Sequence, residues 1–530
     1  MMRQERASAF AIAAIALPGL LLGASIASAK EVSGPLTGSV PRATCGPGDH
    51  TESGLQGQTT PQERLSGDSE RAYNCNLELV GQYQGEGNYS QDGPAYAGDC
   101  AYYATDRVTP LQQHLGVTVI DASDPQHPIA TAYLDDTPAA LDPHETLKHN
   151  DRRDLLAVAQ TNGPNFAVYD TSDCSHPVLK GSIDLPGSAA HMGNFTPDGL
   201  TYYLGQGFEG IGGFVQIVDL ADPSHPKQLP PWQYLGNGRP HGIWFNADGT
   251  RMYAGQAGQF GNVGNTAFGT GPDGLVIEDV SDYQFRRPDP QIRIVSTLFW
   301  DDQGTAEEMY PFRSKGRDYV VSSDESGGNG GVGGAPAACA RGASPHGYPN
   351  IIDITDETNP RIVAKLRLEV SDPANCAVML NDPAEIGGGI PAYNEERCVA
   401  DRPNNPTMLA CAFQYAGLRV FDIRDLSHPR EIAYYKPPAM RTAFLPGSSI
   451  WNASADRTMD RLAGYPRFYT RVPGNDHGHG TGNGIGHGHG NGAQLEIWVV
   501  SADNGFQILR FTDRFQDAHE DLFDAALANH

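Results

Sequence analysis

The sequence predicts an all-β chain closed into a seven-bladed β-propeller, and three observations predict it. A short alternating run that ends in an acidic turn recurs seven times. A hairpin signal recurs between the copies. Helical periodicity is absent from every long stretch except the last residues, 514–528.

The recurring run is clearest as GVTVIDASDPQHP, Gly116 to Pro128. Val117, Val119 and Ile120 alternate as a strand with one buried face. Asp121 closes the run, and Asp124 opens a turn that ends in His-Pro. An Asp carboxylate accepts from backbone N–H groups two residues on, and Pro fixes φ, so this is turn chemistry. The run returns as NFAVYDTSDCSHP from Asn165, FVQIVDLADPSHP from Phe214, PNIIDITDETNP from Pro349 and LRVFDIRDLSHP from Leu418. A degraded copy begins at Gly274 and a terminal one at Phe506. A unit repeated every roughly 50 to 75 residues is an array of sheets, and radial closure protects their edges.

The second repeat precedes these copies. HMGNFTPDGLTYYLGQG (His191 to Gly207) and HGIWFNADGTRMYAGQAG (His241 to Gly258) each hold two strand-like runs around Asp-Gly, a strong hairpin signal. The counterpart in blade two starts at His144 and that in blade five at Glu308, with Lys-Gly as its turn. The run from Leu77 to Tyr83 matches the segments that follow each His-Pro.

The repeat resembles the LVIVD repeat of secreted bacterial β-propeller proteins, over roughly Cys75 to Asp513. The resemblance implies the fold. Proteins of this type mostly have no assigned activity, so it implies no particular chemistry.

Residues 1–29 read as a secretory signal peptide. Arg3 and Arg6 precede an apolar run, and Ala27-Ser28-Ala29 is a cleavage signal. Residues 30–74 are rich in Gly, Ser and Thr and read as a flexible N-terminal leader, pinned if Cys45 or Cys75 is bridged. The propeller is assigned to 75–515 and a C-terminal tail to 516–530. Eight Cys in an exported chain predict disulfides of open connectivity. No apolar stretch in the mature chain is long enough to span a bilayer. A formal charge of −26 argues against nucleic acid and anionic membrane as partners. A secreted or periplasmic location follows, with an unknown protein or small molecule as partner.

His144, His191, His241 and Glu308 each stand seven residues before their turn, at Asp151, Asp198, Asp248 and Lys315. The first strand of a blade runs beside the central channel, so these four residues are expected at its mouth. Three imidazoles and a carboxylate suit a divalent transition metal such as Zn, Fe, Cu or Mn. Repeat-borne histidines that only bond the neighbouring blade are the alternative. In blade six Cys398 falls near the same position and is no ligand if bridged. A Gly-rich tract, 475–492, holds His477, His479, His487 and His489, a weaker metal-binding composition without preformed geometry. His127, His176, His225 and His428 belong to the acidic turns and are read as structural.

Two functions fit these residues. One is an exported propeller that binds a partner through its channel face without catalysis. The other is a metal-dependent enzyme, an oxidoreductase or hydrolase, with the ion on His144, His191, His241 and Glu308. Convergence of the imidazole nitrogens on one point separates the two.

Overall fold

The alternating runs form strands because each presents β-branched and aromatic residues to a neighbouring blade, with Asp turns closing them. In the computed structural model they assemble into seven sheets. The structure describes residues 36–85, 89–105, 114–161, 163–187, 190–206, 214–233, 239–257, 273–327, 334–386, 392–440, 457, 459–472 and 493–527.

Every blade is an antiparallel meander of four strands, named here from the channel outward. Blade one is Tyr89–Ala97, Cys100–Thr105, Val117–Asp121 and Ile129–Leu134. Blade two is Lys148–Asn150, Leu155–Ala159, Asn165–Asp170 and Val178–Asp184. Blade three is Ala190–Phe195, Thr201–Gln206, Phe214–Asp219 and Lys227–Gln233. Blade four is Arg239–Phe245, Arg251–Ala257, Asp273–Asp279 and Arg293–Trp300. Blade five is Ala306–Ser314, Arg317–Asp324, Asn350–Asp353 and Arg361–Lys365. Blade six is Arg397–Ala400, Met408–Phe413, Gly417–Asp422 and Arg430–Lys436.

Blade seven joins the two ends of the chain. Arg467–Arg471, Gln494–Ser501 and Gly505–Phe511 take Leu77–Tyr83 as their outer strand. That pairing closes the ring with hydrogen bonds and removes its seam. The seven copies of the run are thus the third strands, and the segments after His-Pro are the fourth.

The turns behave as their chemistry dictates. Asp121, Asp170, Asp219, Asp353 and Asp422 each accept from the N–H two residues on, at 2.9 to 3.1 Å. In the degraded copy of blade four a helical turn, Ser281–Gln284, replaces the His-Pro turn. The apolar core lies between blades: Tyr102 and Val119 of blade one pack with Leu156 and Tyr169 of blade two.

The leader is described from residue 36. There it is held by a Cys45–Cys75 disulfide and by Tyr73–Cys75, which adds a fifth strand to blade six. Arg64 pairs with Asp382 at 2.7 Å, and Gln56 donates to Glu431 at 2.9 Å, both in buried surroundings. Three further disulfides join Cys100 to Cys174, Cys339 to Cys376 and Cys398 to Cys411, leaving no free thiol. Four disulfides fit an oxidising, extracytoplasmic environment. No helix among the described residues is long and apolar enough to cross a membrane. After the last strand come two short helices, Asp513–Ala518 and Glu520–Leu527, whose Phe515, Leu522 and Phe523 pack on the core between blades six and seven.

Candidate metal centre

The first strands of successive blades lie against one another around the channel. Three of them break register near their start, between Ala190 and Gly193, Pro240 and Ile243, and Ala306 and Met309. A bulge leaves its residues unpaired and re-aims their side chains. His191, His241 and Glu307 are each the first residue of such a bulge. Glu145 stands just before blade two and forms an isolated bridge to Met192 of blade three. His144 precedes it with φ +43°, a left-handed conformation uncommon outside glycine.

These residues meet in one buried group. His191 Nε2 and His241 Nε2 are 2.9 Å apart. Glu145 Oε2 lies 3.4 Å from the first and 3.9 Å from the second. Glu307 Oε1 and Glu325 Oε2 each lie 3.9 Å from His241 Nε2. His144 Nε2 is 3.5 Å from Glu145 Oε1, and its ring centroid is 5.1 Å from that of His191.

Arg397, fully buried at the start of blade six, holds the acids from behind. Its Nη2 is 3.2 Å from Glu145 Oε1, and its Nη1 pairs with Glu307 Oε2. The guanidinium thus takes one oxygen of each carboxylate. The other two, Glu145 Oε2 and Glu307 Oε1, face the imidazoles and have no hydrogen-bond donor among the described residues. Outer groups that fix ligand orientation in this way are a regular part of metal sites.

The electrostatics follow from burial. Burial raises Glu307 well above the usual carboxylate range against the pull of Arg397, with repulsion from Glu325 adding to it. Burial raises Glu325 likewise, with Glu396 and Glu145 adding to it. Burial opposes ionisation of Glu145 too, but Arg397 and the neighbouring His144 and His241 hold its carboxyl below the usual range. Burial, reinforced by His191, keeps His241 well below the ordinary imidazole value and so neutral. Neutral imidazoles and buried carboxylates are the donor types that divalent transition metals take.

Of the four residues expected at the mouth, His144, His191 and His241 meet. Glu308 points elsewhere: its Oε2 accepts from Trp244 Nε1, and burial pushes its carboxyl up to about 7. The reason is register. Counted from the turn, Glu308 matches His191 and His241; counted from the bulge, Glu307 does, because blade five carries one more residue between the two. One residue of slip turns a side chain to the opposite face. Cys398 is bridged to Cys411 and supplies no ligand. His477, His479, His487 and His489 lie outside the described residues. Glu145, Glu325 and Arg397 escape the sequence reading. The signal for Glu145 is an acid directly after the aligned position His144.

The LVIVD repeat family matches residues 158–185, the third and fourth strands of blade two with the end of the second. No curated protein matches the chain. Among solved structures, hydrazine synthase of Kuenenia stuttgartiensis is 12% identical, with a TM-score of 0.42 over 66% of this chain and 78% of that one. The Cps50 (Swd1) β-propeller domain of Myceliophteria thermophila is 10% identical, with a TM-score of 0.45 over 82% of this chain and 99% of that one. The chain is a seven-bladed β-propeller that contains an LVIVD repeat in its second blade.

Proposed function

We propose that the protein is an exported propeller that holds a divalent transition metal at its channel mouth and binds its ligand there, with hydrolysis or oxidoreduction as the chemistry open to it. The ion is Zn, Fe, Cu or Mn, on His191, His241 and Glu145, with Glu307 and Glu325 beside them. One observation carries the reading: donor atoms from three blades lie 2.9 to 3.9 Å apart. Two ligands about 2.1 Å from one ion, at ordinary coordination angles, stand about 3.0 to 3.4 Å apart. The bound ion would act as a Lewis acid or lower the pKa of bound water.

A second reading is favoured by Arg397. Its guanidinium already offsets part of the negative charge of Glu145 and Glu307. On that reading the group is structural, and the channel face binds a protein or small molecule without an ion.

Metal content of the mature protein, expressed without a His tag and with 475–492 deleted, decides between them. At least one equivalent, lost in His241→Ala while the fold is kept, supports the metal centre. A metal-free protein, unchanged by His241→Ala, supports the structural reading.

A further inference from the structure

The donors at the channel mouth form two sets, not one. Glu145, His241, Glu307 and Glu325 can each offer an atom within 4.8 Å of all the others. His144, Glu145 and His191 do the same. Glu145 is common to both, and no set among the described residues takes in all six side chains. Atoms bound to one ion at about 2.1 Å cannot be more than about 4.2 Å apart, so a single ion does not gather the whole group.

We propose that the site is binuclear, with the Glu145 carboxylate shared between two divalent cations, and that an oxyanion is the ligand they take together. This rests on the metal reading above: it keeps His241 and Glu145, with Glu307 and Glu325, on the first ion and gives His191 to the second with His144.

Charge supports it. Among the described residues, Glu145, Glu307, Glu308, Glu325, Glu395 and Glu396 are buried around the channel mouth, with Asp273 and Asp324 bonded to Ala306 and Thr305 beside them, and Arg397, Arg461 and Lys148 are the buried cations there. Buried charges need partners. If these acids ionise, one dication still leaves the group short of positive charge, which leaves room for a second. Two of the unsatisfied oxygens of this group, Glu145 Oε2 and Glu307 Oε1, belong one to the shared residue and one to the deeper set.

The two sets also differ in donor number and in exposure. The deeper set supplies four buried carboxylate and imidazole donors, so its ion takes an oxygen of the shared ligand only by expanding to five-coordinate. The outer set supplies three and leaves a coordination position open. His144, in that outer set, has a side chain 24% exposed, whereas those of His191 and His241 are 5% or less. A ligand therefore arrives over His144 and meets the open ion first. Two ions about 3.5 to 4 Å apart clamp the oxygens of an oxyanion such as a phosphate group.

The test is metal stoichiometry and spin coupling on the mature protein lacking 475–492, loaded with Mn(II). Two equivalents per chain and an exchange-coupled Mn(II) pair in the EPR spectrum are expected. Inorganic phosphate should perturb that signal. His144→Asn, chosen because Asn tolerates a positive φ, should bring the content to one equivalent and abolish the coupling. Glu145→Gln should abolish the coupling as well. One equivalent in the parent protein, or a content unchanged in a folded His144→Asn, overturns the second ion and leaves the mononuclear centre standing. No metal at all overturns both. A coupled pair blind to phosphate overturns the oxyanion assignment.

Discussion

The propeller carries histidines at both ends of its blades and treats them in opposite ways. His127, His225 and His428 sit in the turns after the third strands, each with Nδ1 2.9 to 3.0 Å from the Asp three residues earlier. Their side chains are 70% or more exposed. His191 and His241 start the innermost strands and are buried against each other and against carboxylates from neighbouring blades. The difference teaches that the partner, not the residue type, decides what a repeat-borne histidine does. A turn histidine finds its carboxylate within its own loop. A channel histidine finds carboxylates that only ring closure brings near.

The largest expected effects lie at the channel. His241→Ala should remove the bound metal, read as metal per chain, while His225→Ala leaves the content at the parent value. Equal loss in both would erase the contrast. Arg397→Met sharpens it energetically. The residue is fully buried between Glu145, Glu307 and Glu396, so removing its charge strands buried carboxylates. In metal-free protein a loss of about 3–5 kcal/mol is expected by urea unfolding. Saturating metal should return part of that loss, because an ion that binds only the folded state stabilises it. A loss unaffected by metal would leave Arg397 with a packing role alone.

The same contrast explains what the sequence could and could not disclose. The seven blades were legible because each repeats one grammar, Val119-Ile120-Asp121 or Val420-Phe421-Asp422, and because Leu77 to Tyr83 looks like a fourth strand. His144, His191 and His241 were legible as positions, since all three count back equally from their turns. Glu307 was not, because the bulge of blade five lies one residue further from its turn. Glu145, Glu325 and Arg397 were not, because their roles arise from neighbours in other blades that the chain order does not place together. The pairing of Cys45 with Cys75 was open for the same reason.

Glu278 breaks the pattern from inside one blade. It precedes the closing Asp of the repeat, where five of the other copies hold Ile120, Tyr169, Val218, Ile352 and Phe421, all fully buried. Neither of its oxygens has a hydrogen-bond partner among the described residues, and burial raises its carboxyl well above the usual range. The sign of the pH effect follows. Below the unfolded value near 4.5 both states hold the proton. Above it the unfolded chain releases the proton and the folded one keeps it, so stability falls with rising pH by up to about 1.4 kcal/mol per unit until the folded pKa is passed. Glu278→Ile should restore the apolar position and stabilise the protein at pH 7 by about 1–3 kcal/mol, with a smaller gain at pH 5. Urea unfolding at the two pH values checks both statements, and a gain independent of pH would assign the effect to packing.

The smallest effect belongs to the turns and tests the other side of the comparison. His225 pairs with Asp222, and the hydrogen bond from the His225 ring is the largest influence holding that acid below its usual range. Both side chains are largely exposed, so water competes for each and salt screens the pair. The turn itself is closed by backbone donors: Ser224 N–H to Asp222 Oδ1 at 3.0 Å and His225 N–H to the Asp222 carbonyl at 3.1 Å. His225→Ala removes neither. Its expected cost is within about 0.5 kcal/mol, with no change in metal content. Asp222→Ala removes the Oδ1 acceptor and should cost more than His225→Ala in the same urea titration. The reverse order would mean that the imidazole, rather than the aspartate, holds the turn.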